Sequence, residues 1–174
     1  MSQQPPVEYI TPFKLARQEQ CLKGVVALRE MARLGQYLIS NEGEASFEIL
    51  FGVDEGRTYF ARGQASASLQ MECQRCSKSM KVDVEADIAI AFVTSDQQAE
   101  RVSADYEPCM VEDEKLSLVS LIEDELILAL PIVATHEDTG CQSWFGENEE
   151  PASLAEPREN PFAVLATLKK ASDK

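Results

Sequence analysis

Several residues and patterns on which common enzyme classes depend are scarce or missing in this sequence. Its 174 residues include one histidine and one tryptophan. They contain no glycine-rich phosphate-binding loop, no Gly-x-Ser-x-Gly motif and no His-Glu-x-x-His motif. A single imidazole also leaves few options for general acid–base catalysis. We therefore predict a protein that is not an enzyme and has no small-molecule substrate.

Long apolar segments and an export signal are missing as well. The longest apolar run, residues 126–134, is interrupted by Pro131 and is much shorter than the ~20 residues that span a bilayer. The N-terminal sequence MSQQPPVEYI has neither a basic nor an apolar signal region. Five cysteines in such a chain are expected to be reduced thiols or metal ligands. These features predict a cytoplasmic protein without a membrane partner.

Positive charge is scarce, and it is unevenly distributed. The chain has 16 basic and 30 acidic side chains, a net charge of −14. Residues 1–94 carry 10 basic and 12 acidic side chains, whereas residues 95–174 carry 6 and 18. Because nucleic-acid binding depends on cations that neutralise phosphates, this balance opposes a broad RNA-binding surface. The acidic half is suited to a basic protein partner, or it contributes only to solubility.

Two long segments alternate apolar and polar residues with a period of two. They cover residues 59–71 and 80–92, and residues 47–53 show the same pattern before an Asp-Glu-Gly turn. Such alternation predicts an antiparallel sheet with one buried face and one solvated face. Shorter strands are expected at residues 25–27 and 109–111.

Helical spacing and capping residues predict four helices. We expect them at residues 13–22, 28–38, 116–130 and 160–170. The predicted fold class is α+β: an antiparallel β-meander or partly closed sheet packed by a few short helices, with an acidic irregular segment before a C-terminal helix. The expected organisation is a single domain over residues 1–136, an acidic mobile linker over 137–159 and a helix over 160–174 that docks on the domain.

The motif Cys73-Gln74-Arg75-Cys76 lies at the turn between the two long predicted strands. Two cysteines at this spacing on a hairpin can bind one tetrahedral metal ion, and His136 with Cys141 would complete a Cys₃His structural zinc site. The residues are also compatible with reduced thiols at a turn and an unstructured second pair. A thioredoxin-like role is disfavoured, because such pairs lie at a helix N-terminus.

Charged residues near this motif suggest two further roles. Arg75, Lys78 and Lys81 are candidates for contact with RNA or with a protein partner. Glu125 falls on the apolar stripe of the helix predicted at residues 116–130, where a carboxylate requires a partner or an edge position in solvent. Arg75 is our candidate partner for Glu125 in a buried ion pair.

Four stretches in order resemble the YceD family of large ribosomal RNA subunit accumulation proteins. They are LQMECQRC (69–76), ADYEP (104–108), LIEDELILALPIV (121–133) followed by His136 and Cys141, and NPFAVLATLKK (160–170). The likeness extends weakly from Pro12 to the C-terminus. More distant relatives carry a fuller cysteine cluster where this chain has His136 and Cys141, which favours a metal site at these positions.

The resemblance implies a bacterial cytosolic protein that acts in the synthesis, processing or stability of large-subunit (23S) ribosomal RNA. It implies no known catalytic residue and no established ligand. We therefore predict a non-enzymatic ribosome-biogenesis factor that works through a protein partner in ribosome assembly or ribosomal RNA maturation. The alternative is a zinc-knuckle protein that binds large-subunit ribosomal RNA directly.

Overall fold

A five-stranded sheet is the main element of the described part of the chain. The computed structural model describes residues 9–112, 114–137 and 141. The sheet strands are β2 (Cys21–Ala27), β3 (Glu44–Val53), β4 (Tyr59–Glu72), β5 (Ser79–Val93) and β6 (Glu107–Met110), in that spatial order. Strands β2 to β5 form an antiparallel meander, and β6 pairs with β5 in parallel. The predicted α+β class is confirmed, but the sheet is open, with β2 and β6 at its edges.

The strands alternate between a buried face and an exposed face, as predicted. Along most of β4 and β5 the buried positions recur at every second residue, and apolar side chains occupy them, whereas residues 90–93 at the end of β5 are all buried. The longest ladder joins β4 to β5 from the pair Tyr59–Phe92 to the pair Glu72–Ser79. One-face burial fixes this register, since a shift by one residue would expose the whole apolar set.

Short elements cover the buried face. They are α1 (Pro12–Arg17), two 3-10 helices (Leu28–Glu30 and Leu34–Tyr37) and α3 (Leu118–Leu128). The one-turn helix α2 (Asp96–Ala99) follows β5 and buries none of its residues. A two-stranded ladder joins β1 (Tyr9–Ile10) to β7 (Leu116–Ser117). Helix α3 starts at an N-cap, where the Ser117 hydroxyl accepts a hydrogen bond from the Ser120 amide at 3.2 Å. None of the described helices is long and apolar enough to cross a membrane.

The first helix is shorter than predicted, because the chain leaves it at Glu19 rather than at Gly24. Glu19 has a φ of +49°, and the amides of Glu19 and Gln20 donate to the carbonyls of Ala16 and Leu15. This pattern is a Schellman motif. Glycine usually occupies the left-handed position, so a glutamate there gave no signal. Residues 21 and 22, predicted as the end of the helix, belong to strand β2, which also contains the strand predicted at residues 25–27.

The helix predicted at residues 28–38 is replaced by the two 3-10 helices. The cause is the carboxylate of Glu123 in α3, which accepts hydrogen bonds from the amides of Arg33 and Leu34 at 2.6 and 3.0 Å. Those amides are therefore not available for bonds within a continuous α-helix. The Arg33 guanidinium also donates to Glu123 at 2.9 and 3.1 Å. Glu123 is only 5% exposed, so its charge depends on these four donors.

The predicted linker and C-terminal helix, residues 137–159 and 160–174, lie almost entirely outside the described residues. The single domain predicted over residues 1–136 stays a prediction. The linker and the docking of the last helix stay predictions.

We predict that Glu123→Gln destabilises the protein by about 2 kcal/mol, because it removes charge-assisted hydrogen bonds from a buried site. Asp124→Asn is the matched control, since the exposed Asp124 binds the same Arg33, and it should lower the stability by less than about 1 kcal/mol. Urea unfolding measures both values. Equal losses in the two variants would contradict the role assigned to Glu123.

Candidate metal centre

Residues 73–78 form the tight turn that joins β4 to β5. The Cys73 amide donates to the Lys78 carbonyl at 2.9 Å, and the Ser77 amide donates to the Cys73 carbonyl at 2.8 Å. Ser77 has a φ of +54°, which lets the chain reverse within this short segment. The turn holds Cys73 and Cys76 three residues apart at the end of the hairpin, as the sequence predicts.

Two hydrogen bonds attach the segment after α3 to this turn. The Gln74 amide donates to the carbonyl of the buried Ala134 at 2.8 Å. The Arg75 side chain donates through Nη2 to the His136 carbonyl at 2.6 Å. Both acceptors are backbone carbonyls, so no residue type in the sequence marks them. These two hydrogen bonds bring His136 next to the cysteines of the turn.

Four potential ligands converge at this point: Cys73, Cys76, His136 and Cys141. Their ligand atoms all lie within 4.8 Å of one another. The Cys73 and Cys141 sulfurs are 3.6 Å apart, and the Cys76 sulfur is 3.5 Å from His136 Nδ1. In tetrahedral zinc sites, bond lengths of ~2.3 Å to sulfur and ~2.05 Å to nitrogen separate the ligand atoms by about 3.5–3.8 Å. This cluster, which we call the Cys₃His cluster, could therefore hold a tetrahedral metal ion.

Electrostatics around Cys73 favour the thiolate that a metal requires. Burial raises the pKa of this thiol, but hydrogen bonds from the backbone of His136, Arg75 and Cys76, with a smaller contribution from the Cys141 thiol, lower it to about 5. Backbone amides directed at a sulfur in this way stabilise its charge and orient it for coordination. Burial, followed by hydrogen bonds with Cys76 and Cys73, instead raises the pKa of the Cys141 thiol.

Comparison with known proteins gives the cluster a family context. A family profile described as "Large ribosomal RNA subunit accumulation protein YceD" matches residues 61–169. The chain belongs to the YceD family. A curated relative from Haemophilus influenzae, named "Large ribosomal RNA subunit accumulation protein YceD", is 31% identical over 164 residues, 92% of this chain and 94% of the relative. No solved structure matches.

The profile of the YceD family spans the whole Cys₃His cluster. The structure brings together all four residues that the sequence proposed as ligands, although the two pairs are about sixty residues apart in the chain. The other two cysteines of this YceD-family chain lie elsewhere: Cys21 is exposed on β2, and Cys109 is half-buried on β6. Burial raises the pKa of the Cys109 thiol, and nearby carboxylates raise it further, which favours its protonated, less reactive form.

The predicted ion pair between Arg75 and Glu125 is not formed. Arg75 donates instead to the His136 carbonyl, and no ion pair between the two side chains occurs among the described residues. The buried carboxylate of α3 is Glu123, paired with Arg33. The error was one of helix phase, because α3 buries Leu118, Leu121, Ile122, Glu123 and Leu126.

The cations proposed for RNA or partner contact are only partly available. The Arg75 side chain donates to the His136 carbonyl beside the cluster. Lys81 forms an ion pair with Asp83, with 3.2 Å between Nζ and Oδ1. Lys78 is exposed and forms no ion pair with a described residue. The turn therefore offers less free positive charge than the sequence suggested.

Glu125 is half-buried and forms no ion pair with a described residue, so its ionised form is disfavoured in this YceD-family protein. Burial raises its pKa, and the carboxylates of Glu107 and Asp124 raise it further. A group whose pKa is higher in the folded state stabilises the fold at low pH, and this contribution is lost as the pH rises through the folded-state pKa.

We therefore predict that Glu125→Gln raises the melting temperature at pH 8 relative to the wild type. The difference should narrow as the pH is lowered towards 5, because the wild-type carboxyl becomes protonated. Thermal unfolding monitored by circular dichroism across this range measures it, with the exposed Glu85→Gln on β5 as control. A melting-temperature difference between Glu125→Gln and the wild type that stays constant from pH 5 to 8 would contradict the raised pKa of Glu125.

Proposed function

We propose that this protein is a non-enzymatic ribosome-biogenesis factor of the bacterial cytosol that supports the synthesis, processing or stability of large-subunit (23S) ribosomal RNA. The observation that carries the proposal is membership of the YceD family, with a relative named for large ribosomal RNA subunit accumulation that aligns over 92% of this chain. The factor acts through a protein partner rather than by chemistry of its own.

The arrangement of the Cys₃His cluster supports a structural rather than a catalytic role. Cys76 and His136 alone would resemble a nucleophile and its base, since their ligand atoms are 3.5 Å apart. The Cys73 and Cys141 thiols are within 4.8 Å of the same atoms. Four protein ligands close the coordination shell, whereas catalytic zinc sites keep one position open for water or substrate.

We propose zinc as the metal held by Cys73, Cys76, His136 and Cys141. Three thiolates and one imidazole are a donor set typical of structural zinc. When bound, the ion would supply a cross-link between the β4–β5 turn and the segment after α3, adding to the hydrogen bonds of Gln74 and Arg75. His136 would coordinate through Nδ1, the atom that lies near Cys76.

Metal analysis of the purified protein tests this site. We expect close to one zinc per chain in the wild type and a large loss of zinc in Cys76→Ser. Cys21→Ser is the matched control, because it removes an exposed thiol outside the cluster and should retain the metal. Less than about 0.2 zinc per wild-type chain would exclude the Cys₃His zinc site, which requires nearly stoichiometric occupancy.

The exposed face of the sheet supports a basic protein partner. Its central strands present Glu44, Asp83, Glu85 and Asp87 to solvent. Three of these line a shallow depression together with serines: Glu44, Asp83 and Glu85. A hydrogen bond from Ser68, followed by one from Lys81, lowers the pKa of Asp83 and keeps it ionised. This acidic sheet face would attract Lys- and Arg-rich proteins and repel phosphate.

Charge reversal on the acidic sheet face tests the partner and the function together. In bacteria that lack their own YceD-family protein, the wild type should restore the level of large-subunit ribosomal RNA relative to small-subunit RNA. The double variant Glu85→Lys, Asp87→Lys should fail to do so and should lose ribosomal or RNA-processing proteins in affinity purification. Glu19→Lys, Glu30→Lys carries the same charge change at other exposed sites and should behave as wild type. Full restoration by the sheet variant would contradict the proposed surface.

A further inference from the structure

A cleft lies at the end of the β4–β5 hairpin that is remote from the Cys₃His cluster. It opens between α1, the β3–β4 turn, the end of β5 and the segment around α2, with a volume of about 600 Å³. Strand β4 runs from Tyr59 at the cleft to Glu72 beside the cluster, a distance of about 40 Å along the strand. The volume falls within the range of about 300–1,000 Å³ that is typical of ligand sites.

Positive charge is concentrated in this cleft. Four of the chain's sixteen lysine and arginine residues line it: Lys14, Arg17, Arg57 and Arg101. Among its described lining residues, Glu114 is the only acidic one, although the chain has thirty acidic side chains. None of the four cations forms an ion pair with a described residue. In a chain with a net charge of −14, such a cluster of unpaired cations indicates an anionic ligand.

An aromatic wall lies beside these cations. Arg17 donates through Nε to the Tyr59 hydroxyl at 3.3 Å, and its guanidinium carbon lies 5.5 Å from the centre of the Tyr59 ring. The Phe13 ring packs edge-on against Tyr59 with ring centres 5.2 Å apart. Both rings are half-buried, so part of each stays accessible. Cations beside exposed aromatic rings form the typical binding surface for single-stranded nucleic acids.

The β3–β4 turn holds Arg57 at the rim in an uncommon conformation. Arg57 has a φ of +65°, a region that residues other than glycine occupy infrequently. The Asp54 carbonyl accepts a hydrogen bond from the Arg57 amide at 3.0 Å, and the Asp54 carboxylate accepts one from the Thr58 amide at 2.8 Å. These contacts organise the turn in advance, which lowers the entropic cost of binding through it.

We propose that this cleft binds the backbone phosphates of single-stranded RNA, with a base against the wall formed by Phe13 and Tyr59. The inference rests on the proposed function, because it identifies how the factor contacts the RNA that it supports. The small cleft accommodates a nucleotide of an extended strand, whereas double-stranded RNA is recognised across a much longer surface. A free nucleotide carries the same phosphate chemistry, and the experiment below separates the two sources.

The cleft is better suited to phosphate than the turn at the Cys₃His cluster is. Arg75 in that turn and Lys81, which follows it on β5, already have intramolecular partners, and β5 also carries exposed carboxylates such as Asp83 and Glu85. The described lining of the cleft instead holds one carboxylate and four cations, none of which forms an ion pair with a described residue. Direct RNA contact is therefore assigned to the end of the hairpin remote from the cysteines.

Fluorescence anisotropy with a labelled single-stranded oligouridylate tests the proposal on the full-length protein. Arg57→Gln, Arg101→Gln should bind about 10- to 30-fold more weakly than the wild type at 0.1 M salt. The association constant of this variant should also depend less on salt. The plot of its logarithm against the logarithm of the salt concentration should be shallower by about 1.4, since each lost phosphate contact with a single strand contributes about 0.7. Arg29→Gln, Lys78→Gln is the control with the same net charge and should bind as the wild type does.

Three results would overturn the proposal: the wild type does not bind the oligouridylate, the cleft and control variants bind it equally weakly, or only the control variant binds it more weakly than the wild type. Displacement of the oligouridylate by uridine monophosphate at equal nucleotide concentration would overturn the RNA assignment in favour of a free nucleotide. If the double variant does not fold, Lys14→Gln on the surface of α1 should still reduce the slope by about 0.7.

The cellular level of large-subunit RNA separates this inference from the proposed function. If the wild type restores that level but does not bind the oligouridylate, the cleft assignment fails and the function stands. If it binds through the cleft but restores nothing, the cleft assignment stands and the function fails.

Discussion

The β4–β5 hairpin is the constraint on which the rest of the molecule depends. Fourteen residue pairs join the two strands from Tyr59–Phe92 to Glu72–Ser79. Because one face is buried, a shift of register by a single residue would expose the core and displace both ends. The Cys₃His cluster lies at one end and the cationic cleft at the other. Since every pair in the ladder contributes to the same register, the hairpin acts as a rigid spacer between the two sites.

Two different signals made the hairpin and the ligand set predictable. Apolar alternation depends only on local geometry, so residues 59–71 and 80–92 were assigned to strands with bounds close to those observed. The cluster followed from chemistry and not from pattern: few side chains bind soft metals, and His136 with Cys141 were the pair available to complete a site with Cys73 and Cys76, although about sixty residues separate the two pairs in the chain. The contacts that complete the site, through the Ala134 and His136 carbonyls, leave no trace in residue identity.

Tertiary contacts account for what the sequence did not predict. The Glu123 carboxylate accepts hydrogen bonds from the amides of Arg33 and Leu34. Residues 28–38, which have helical spacing, therefore cannot continue as one helix. Glu19 adopts the left-handed backbone conformation that ends α1, a position that glycine usually occupies. The cationic cleft was missed because its cations come from separate elements, among them Lys14 on α1 and Arg57 in the β3–β4 turn. Counting charge along the chain averages them with the surrounding carboxylates.

The acidic sheet face and the cationic cleft are separate surfaces, and this separation would determine where such a factor binds RNA. The net charge of −14 repels a phosphate backbone, but this repulsion is largely screened beyond roughly 8–10 Å at physiological salt. Inside that distance the four cations that line the cleft would attract phosphate, whereas the acidic sheet face would continue to repel it. An RNA strand can therefore be held at the end of the hairpin without spreading over the sheet. The acidic sheet face stays free for a basic protein, so the two partners would not compete for one surface.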